Sequence, residues 1–109
     1  MKVGIIGGGR VGSRLAASLR EAGVLVGVTA VSEQHSAQLA QQFGVPATDN
    51  AKLWQAADVL LLTVPDRLIG TVAEELAQSV TPAAKVVLHV SGSVGLEPLA
   101  PLAQLGAHV

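Results

Sequence analysis

The sequence contains no cysteine, which removes a disulfide framework, a thiolate nucleophile and a thiolate metal site together. Charge is scarce as well. Only 14% of the residues are Asp, Glu, Lys or Arg, against roughly 25% in an average globular domain. The formal net charge of −1 leaves no basic footprint for nucleic acid, and no run of lysines or arginines marks an anionic membrane surface. Long hydrophobic runs are missing too. The longest, residues 24–28 and 59–62, have strand length and fall far short of the ~20 apolar residues of a membrane span. Neither repeats nor a low-complexity linker occur. The three histidines lack metal-ligand spacing, so no metal is expected. Ser91-Gly92-Ser93 lacks the G-x-S-x-G frame of a nucleophile elbow.

Half of the residues are hydrophobic. That is too apolar for a disordered chain. It is also slightly too apolar for a domain that stands alone, so a surface meant for a partner domain is expected. At 109 residues there is room for one domain, residues 1–109, near the lower end for an α/β layer structure.

One stretch organises the rest: Lys2-Val3-Gly4-Ile5-Ile6-Gly7-Gly8-Gly9-Arg10-Val11-Gly12. It reads as a buried strand, a glycine-rich turn and the start of a helix. Gly7, Gly9 and Gly12 fit the G-x-G-x-x-G spacing of a dinucleotide-binding turn. Gly7 lets the backbone turn at the strand end, Gly9 lets a pyrophosphate approach the main chain, and Gly12 lets the helix lie close to the sheet. The first helical amides have no partner within the helix, and the dipole adds positive character, so an anion is favoured there. A cleaved leader would take this turn with it, which makes the cytoplasm the default compartment.

Beyond Gly12, Val11, Leu15, Leu19 and Ala22 recur at helical spacing until Gly23. Residues 24–31 form a second strand, apolar without alternation, as in a parallel strand covered on both faces. Ser32 caps a helix carrying Ala37, Leu39, Ala40 and Phe43 inward, with Gly44 as its stop. Val45-Pro46-Ala47-Thr48 is expected as a short third strand at the sheet edge, where proline is tolerated. Asp49 or Asn50 opens a short helix through Ala56, bulked by Leu53 and Trp54. Residues 58–64 form a fourth strand and 67–80 an amphipathic helix. Residues 85–90 form a fifth strand, Ser91-Gly92-Ser93 a turn, and 96–105 a helix ended by Gly106. Ala107-His108-Val109 begins a sixth strand. Alternation of this kind specifies a parallel sheet with helices on both faces, and the chain is expected to be the amino-terminal part of a longer protein.

Ligands of open α/β sheets bind beyond the carboxyl ends of the strands, where strand order reverses. That rule selects the glycine turn, Val31-Ser32, Thr63-Val64-Pro65-Asp66 and His89-Val90-Ser91-Gly92. Arg10 stands at the mouth of the turn, either reaching a phosphate or solvated in the first helical turn. Ser32 could donate to a ribose or phosphate oxygen, although capping alone explains it. NAD-binding proteins usually place an Asp or Glu at the tip of the second strand, ~20 residues after the glycines. Thr29-Ala30-Val31-Ser32-Glu33 has no acid at that tip. Nothing there repels a 2′-phosphate, which tilts the expectation to NADP; no arginine pairs one either, so NAD stays open. Asp66 reads first as an N-cap and second as a ligand contact. His89 reads first as a hydrogen-bonded residue in a covered strand and second as catalytic. His35 and His108 look incidental.

Gly7 to Gly12 with Leu15, Ala16 and Leu19, residues 57–66 ending in Val64-Pro65-Asp66, His89-Val90-Ser91-Gly92 and Leu105-Gly106-Ala107-His108-Val109 together resemble one family. It is the Rossmann-like half of two-domain oxidoreductases with a helical carboxy-terminal domain, similar to pyrroline-5-carboxylate reductase, ketopantoate reductase, the β-hydroxyacid dehydrogenases and deazaflavin-dependent NADP reductases. The resemblance covers essentially the whole chain. It implies a three-layer Rossmann fold of mainly parallel strands in the order 3-2-1-4-5-6. It implies that residues 9–12, Gly9, Arg10, Val11 and Gly12, cradle the pyrophosphate with Gly7 at the turn. Val31 and Ser32 would face the adenosine ribose, Thr63, Val64 and Pro65 line the cofactor, and Ser91 lie toward the nicotinamide. Relatives often carry an arginine where Val31 stands. A small-molecule substrate, a helical carboxy-terminal domain and a homodimer through that domain are implied as partners, with catalytic residues unassigned. The rival from another class is a non-catalytic nucleotide-sensing module, and a methyltransferase is a third option.

Overall fold

The computed structural model describes residues 1–81, 83, 85–91 and 95–109. The elements are β1 (Val3–Ile6), α1 (Arg10–Glu21), β2 (Leu25–Thr29), α2 (Glu33–Phe43), α3 (Asn50–Ala56), β3 (Val59–Leu62), α4 (Ile69–Ser79), β4 (Val86–His89) and α5 (Ala100–Ala103). Three-residue 3-10 turns, Asp66–Leu68 and Glu97–Leu99, lead into α4 and α5. Pro98 and Pro101 lie in the first turns of their segments, where a missing N–H costs nothing.

The strands form one four-stranded sheet in the order β2-β1-β3-β4, and every pairing is parallel. These are the strands expected as second, first, fourth and fifth, so the order is the interior of 3-2-1-4-5-6. The beginning of the sixth strand is present as a parallel bridge of His108 to Val86, with the Val87 amide donating to the His108 carbonyl at 2.7 Å.

Strand side chains alternate between two apolar layers, because successive residues of a strand face opposite ways. Ile6, Leu60, Leu62 and Val87 pack with Leu53, Trp54, Ile69, Ala73, Leu76, Leu99 and Leu102 from α3, α4, the second 3-10 turn and α5. Ile5, Val28 and Leu61 pack on the other face with Leu15, Ala16, Leu19, Leu39 and Phe43 from α1 and α2. Three layers result. The expected inward face of α2 is altered in one place. Ser36 is buried instead of Ala37, because its hydroxyl accepts from the Ala30 amide at 2.7 Å and donates to the Ala30 carbonyl at 3.2 Å.

The expected third strand is not formed; residues 45–48 are irregular. Helix α2 ends with the Gly44 amide donating to Gln41 and the Val45 amide to the Ala40 carbonyl, the pattern of a Schellman motif. Val45 has therefore committed its N–H to the helix end, and Pro46 has none. Two successive residues cannot donate to a ladder on β2. Asp66 is not the N-cap of α4 either: it lies inside the 3-10 turn, whose cap is Pro65. The anticipated turn at Ser91-Gly92-Ser93 falls, at Gly92 and Ser93, outside the described residues.

Candidate functional site

The register places Thr29, Ile6, Leu62 and His89 in one row across the sheet. The four connections that follow these residues therefore emerge side by side at the carboxyl edge. Between them lies a cleft of about 540 Å³, lined by Gly7, Gly8, Gly9, Arg10, Val11, Ala30, Val31, His35, Thr63, Val64, Pro65, Asp66, Val90 and Ser91.

The floor of the cleft is the glycine turn, fixed from both sides. The Gly7 amide donates to the Thr29 carbonyl at 2.8 Å, and the Thr63 hydroxyl donates to the Gly7 carbonyl at 3.0 Å. Gly7 has φ 127°, a conformation that side-chain-bearing residues avoid. At Gly12 a Cβ would strike the Gly7 carbonyl oxygen and lie 2.5 Å from Thr63 Oγ1. Its role is close packing of α1 against the strand ends. Gly9 differs. It caps α1 with φ −76°, ordinary for any residue, and among the described residues a Cβ there would meet nothing within 4 Å. The fold leaves the space above Gly9 open. Its N-cap, Gly9, has no side chain with which to cap the first turn of α1, and no acidic residue stands in that turn, so its amides and the helix dipole present a positive end.

Of the residues anticipated from sequence, Gly7, Gly9, Arg10, Val11, Val31, Thr63, Val64, Pro65 and Ser91 line this one cleft. Val11, also expected on the inner helical face, is 52% exposed; Leu15, Ala16 and Leu19 make that face. Gly12 and Ser32 lie off the lining. The Ser32 hydroxyl accepts from the His35 amide at 3.1 Å, so capping accounts for it. Val31, at 90% exposure, presents an aliphatic tip at the end of β2.

His35, read from sequence as incidental, lines the cleft. Its ring rests against Gly8, where a Cβ would come within 2.8 Å of Cε1. The available signal was its place three residues after the Ser32 cap, in the first turn of a helix that begins at the cleft. His89 is half-buried and not a core residue. Both of its ring nitrogens meet backbone: Nδ1 accepts from the Ser91 amide at 3.1 Å, and Nε2 lies 2.7 Å from the Gly95 carbonyl oxygen. Among the described residues no group of His, Asp and Glu could hold a metal ion, and no helix is long and apolar enough to cross a membrane.

A parallel α/β sheet with a glycine turn after its first strand, and a cleft where chain connections diverge to either side, defines a Rossmann-like domain. The sequence matches the Rossmann-like domain family over residues 1–108, and the chain belongs to that family. It is 30% identical over 100 residues to pyrroline-5-carboxylate reductase of Methanosarcina acetivorans, an alignment taking in 87% of this chain and 37% of that protein. Among solved structures, Synechocystis arogenate dehydrogenase superposes with a TM-score of 0.75 at 29% identity, over 96% of this chain and 37% of the other. A semialdehyde dehydrogenase NAD-binding protein from Cupriavidus necator, solved in complex with calcium and NAD, gives a TM-score of 0.66 at 30% identity, over 83% and 33%. The chain thus spans about a third of the length of each of these proteins.

Proposed function

We propose that the chain is the dinucleotide-binding part of an NAD(P)-dependent oxidoreductase acting on a small molecule. The observation that carries this reading is Gly9: a helix start whose backbone the described residues leave bare, in the lining of the cleft. A group that must touch the main chain fits there, and a pyrophosphate is such a group. Dehydrogenase and reductase names among the relatives support the reading, including one solved with NAD.

In this assignment the residue 9–12 amides hold the pyrophosphate, with Arg10 beside it. Val31 faces the adenosine ribose, while Thr63, Val64 and Pro65 form the wall opposite. Ser91 stands at the end given to the nicotinamide. Ser32 acts through its cap, which orients the first turn of α2. The Thr63 hydroxyl holds the Gly7 carbonyl and so fixes the turn. When bound, the nicotinamide supplies hydride chemistry; this chain supplies position and a surface that excludes water from one side.

NADP is the proposed form of the cofactor. The tip of β2 carries Val31 and no carboxylate, so a 2′-phosphate meets no like charge from that position, and Arg10 and His35 both line the cleft. A second domain is proposed to provide the opposite wall, the substrate contacts and the dimer interface. Orientation of reactants accounts for about 7–11 kcal/mol of barrier lowering, and one half of a site cannot supply it. Residues 1–109 are therefore expected to bind dinucleotide weakly and to reduce no imine or ketone alone.

Titrating the chain with NADPH, NADH, ADP-ribose and S-adenosylmethionine tests the reading. NADPH should bind most tightly, with NADH and ADP-ribose weaker. Saturable binding of S-adenosylmethionine alone would replace the oxidoreductase with a methyltransferase.

A further inference from the structure

We propose that His89 is a positioning residue that sets the cleft wall at the nicotinamide end, an inference that rests on the dinucleotide reading above. An amide can only donate, so the contact of the Ser91 N–H with Nδ1 at 3.1 Å requires a bare lone pair on that nitrogen. The ring proton then sits on Nε2, which donates to the Gly95 carbonyl at 2.7 Å. One neutral tautomer satisfies both backbone groups. The ring thereby joins Ser91, which lines the cleft, to Gly95 at the start of the segment leading into α5.

The position of this wall follows from the sheet. The ribose-contacting position of such folds lies at the end of the second strand, here Val31 after β2. The end of β4 is three strand spacings away, ~14 Å at 4.8 Å each, with the glycine turn between them. A dinucleotide whose pyrophosphate lies over the turn therefore brings its nicotinamide half toward Val90 and Ser91. His89 should govern how that half is held and leave the ADP-ribose half alone. With both nitrogens committed to backbone, the ring acts as a brace and not as an acid or base.

Three variants separate the contacts. His89→Asn keeps an acceptor near the place of Nδ1, His89→Gln keeps a donor near the place of Nε2, and His89→Ala keeps neither. A long-range 1H–15N spectrum of the unliganded chain should show the Nε2-protonated tautomer. For NADPH, His89→Ala should weaken binding about tenfold, the scale of one lost hydrogen bond. His89→Gln should resemble it, and His89→Asn should recover most of the loss. ADP-ribose affinity should stay within about twofold throughout, since no variant touches its half of the cleft.

A ring protonated on Nδ1 would overturn the proposal before any ligand is added. Equal losses for NADPH and ADP-ribose would overturn it as well, as would His89→Ala with unchanged NADPH affinity. If the wild-type chain binds neither ligand, the dinucleotide reading itself falls. That outcome is distinct from wild-type binding that ignores His89.

Discussion

The glycines of the turn are interchangeable in a motif but not in the structure. Gly12 is enclosed by the Gly7 carbonyl and the Thr63 hydroxyl, whereas Gly9 opens onto empty space. Gly12→Ala should therefore lower unfolding stability by about 1–3 kcal/mol, as overpacking does, and a denaturant titration reads it. Gly9→Ala should leave stability within about 0.5 kcal/mol, the usual range for an unhindered surface change. Its effect should fall on ligand: at least about tenfold in dinucleotide Kd, because a methyl would occupy the approach to the main chain. Thr63→Val removes the hydroxyl that holds the Gly7 carbonyl at 3.0 Å. A loss of about 1 kcal/mol in stability is expected, with looser binding, both measurable on one sample. Residue identities such as these were legible in sequence as a spacing. The division of labour between Gly9 and Gly12 was legible from that spacing too; what closes the space at Gly12 was not, since that depends on Thr63, 51 positions further along the chain. His35 was missed for the same reason: its contact with Gly8 exists only once α2 is laid against the turn.

At the scale of elements, local rules were followed closely where local chemistry decides. Gly23, Gly44 and Gly106 end helices with positive φ, and Ser32 and Asp49 cap α2 and α3 through their side chains. The expected third strand failed because a neighbouring element took the hydrogen-bonding groups it needed. Its absence leaves a hollow of about 450 Å³ beside β2, bordered by Thr29, Ser36, Thr48 and Asn50. Helix α3 has only seven residues and is too short to persist alone. Two side chains tie it down. Leu53 packs where Gly4 and Gly27 carry no Cβ, and the Trp54 indole donates to the Thr81 carbonyl at 3.1 Å. Leu53→Ala should cost about 2–5 kcal/mol, as for a fully buried leucine, and thermal unfolding would register it. The side chain that fills the space above the glycines at 4 and 27 comes from another element, so nothing beside them in the sequence announces it.

On the scale of the whole molecule, alternation of apolar strands with helices was enough to specify a parallel sheet with helices on both faces, while its strand order rested on the family resemblance. Connections that pass to opposite sides of β1 open the cleft, and register decides what lines it. Apolar surface remains exposed among the described residues: Leu88, Val90 and Leu96 are 44%, 46% and 57% exposed, while the chain covers 37% of the length of the reductase and of the arogenate dehydrogenase it matches. A site with one wall can hold a dinucleotide and orient it, and the proposed second domain would bring the substrate to it. The most direct test is calorimetric titration of NADPH and ADP-ribose into the wild-type chain and into Gly9→Ala, with circular dichroism on both. A cofactor cradle at Gly9 requires saturable binding of both ligands to the wild type, lost in a Gly9→Ala protein whose unfolding curve overlays the wild-type curve. Binding that persists unchanged in Gly9→Ala, or no saturable binding of either ligand to the wild type, would contradict it.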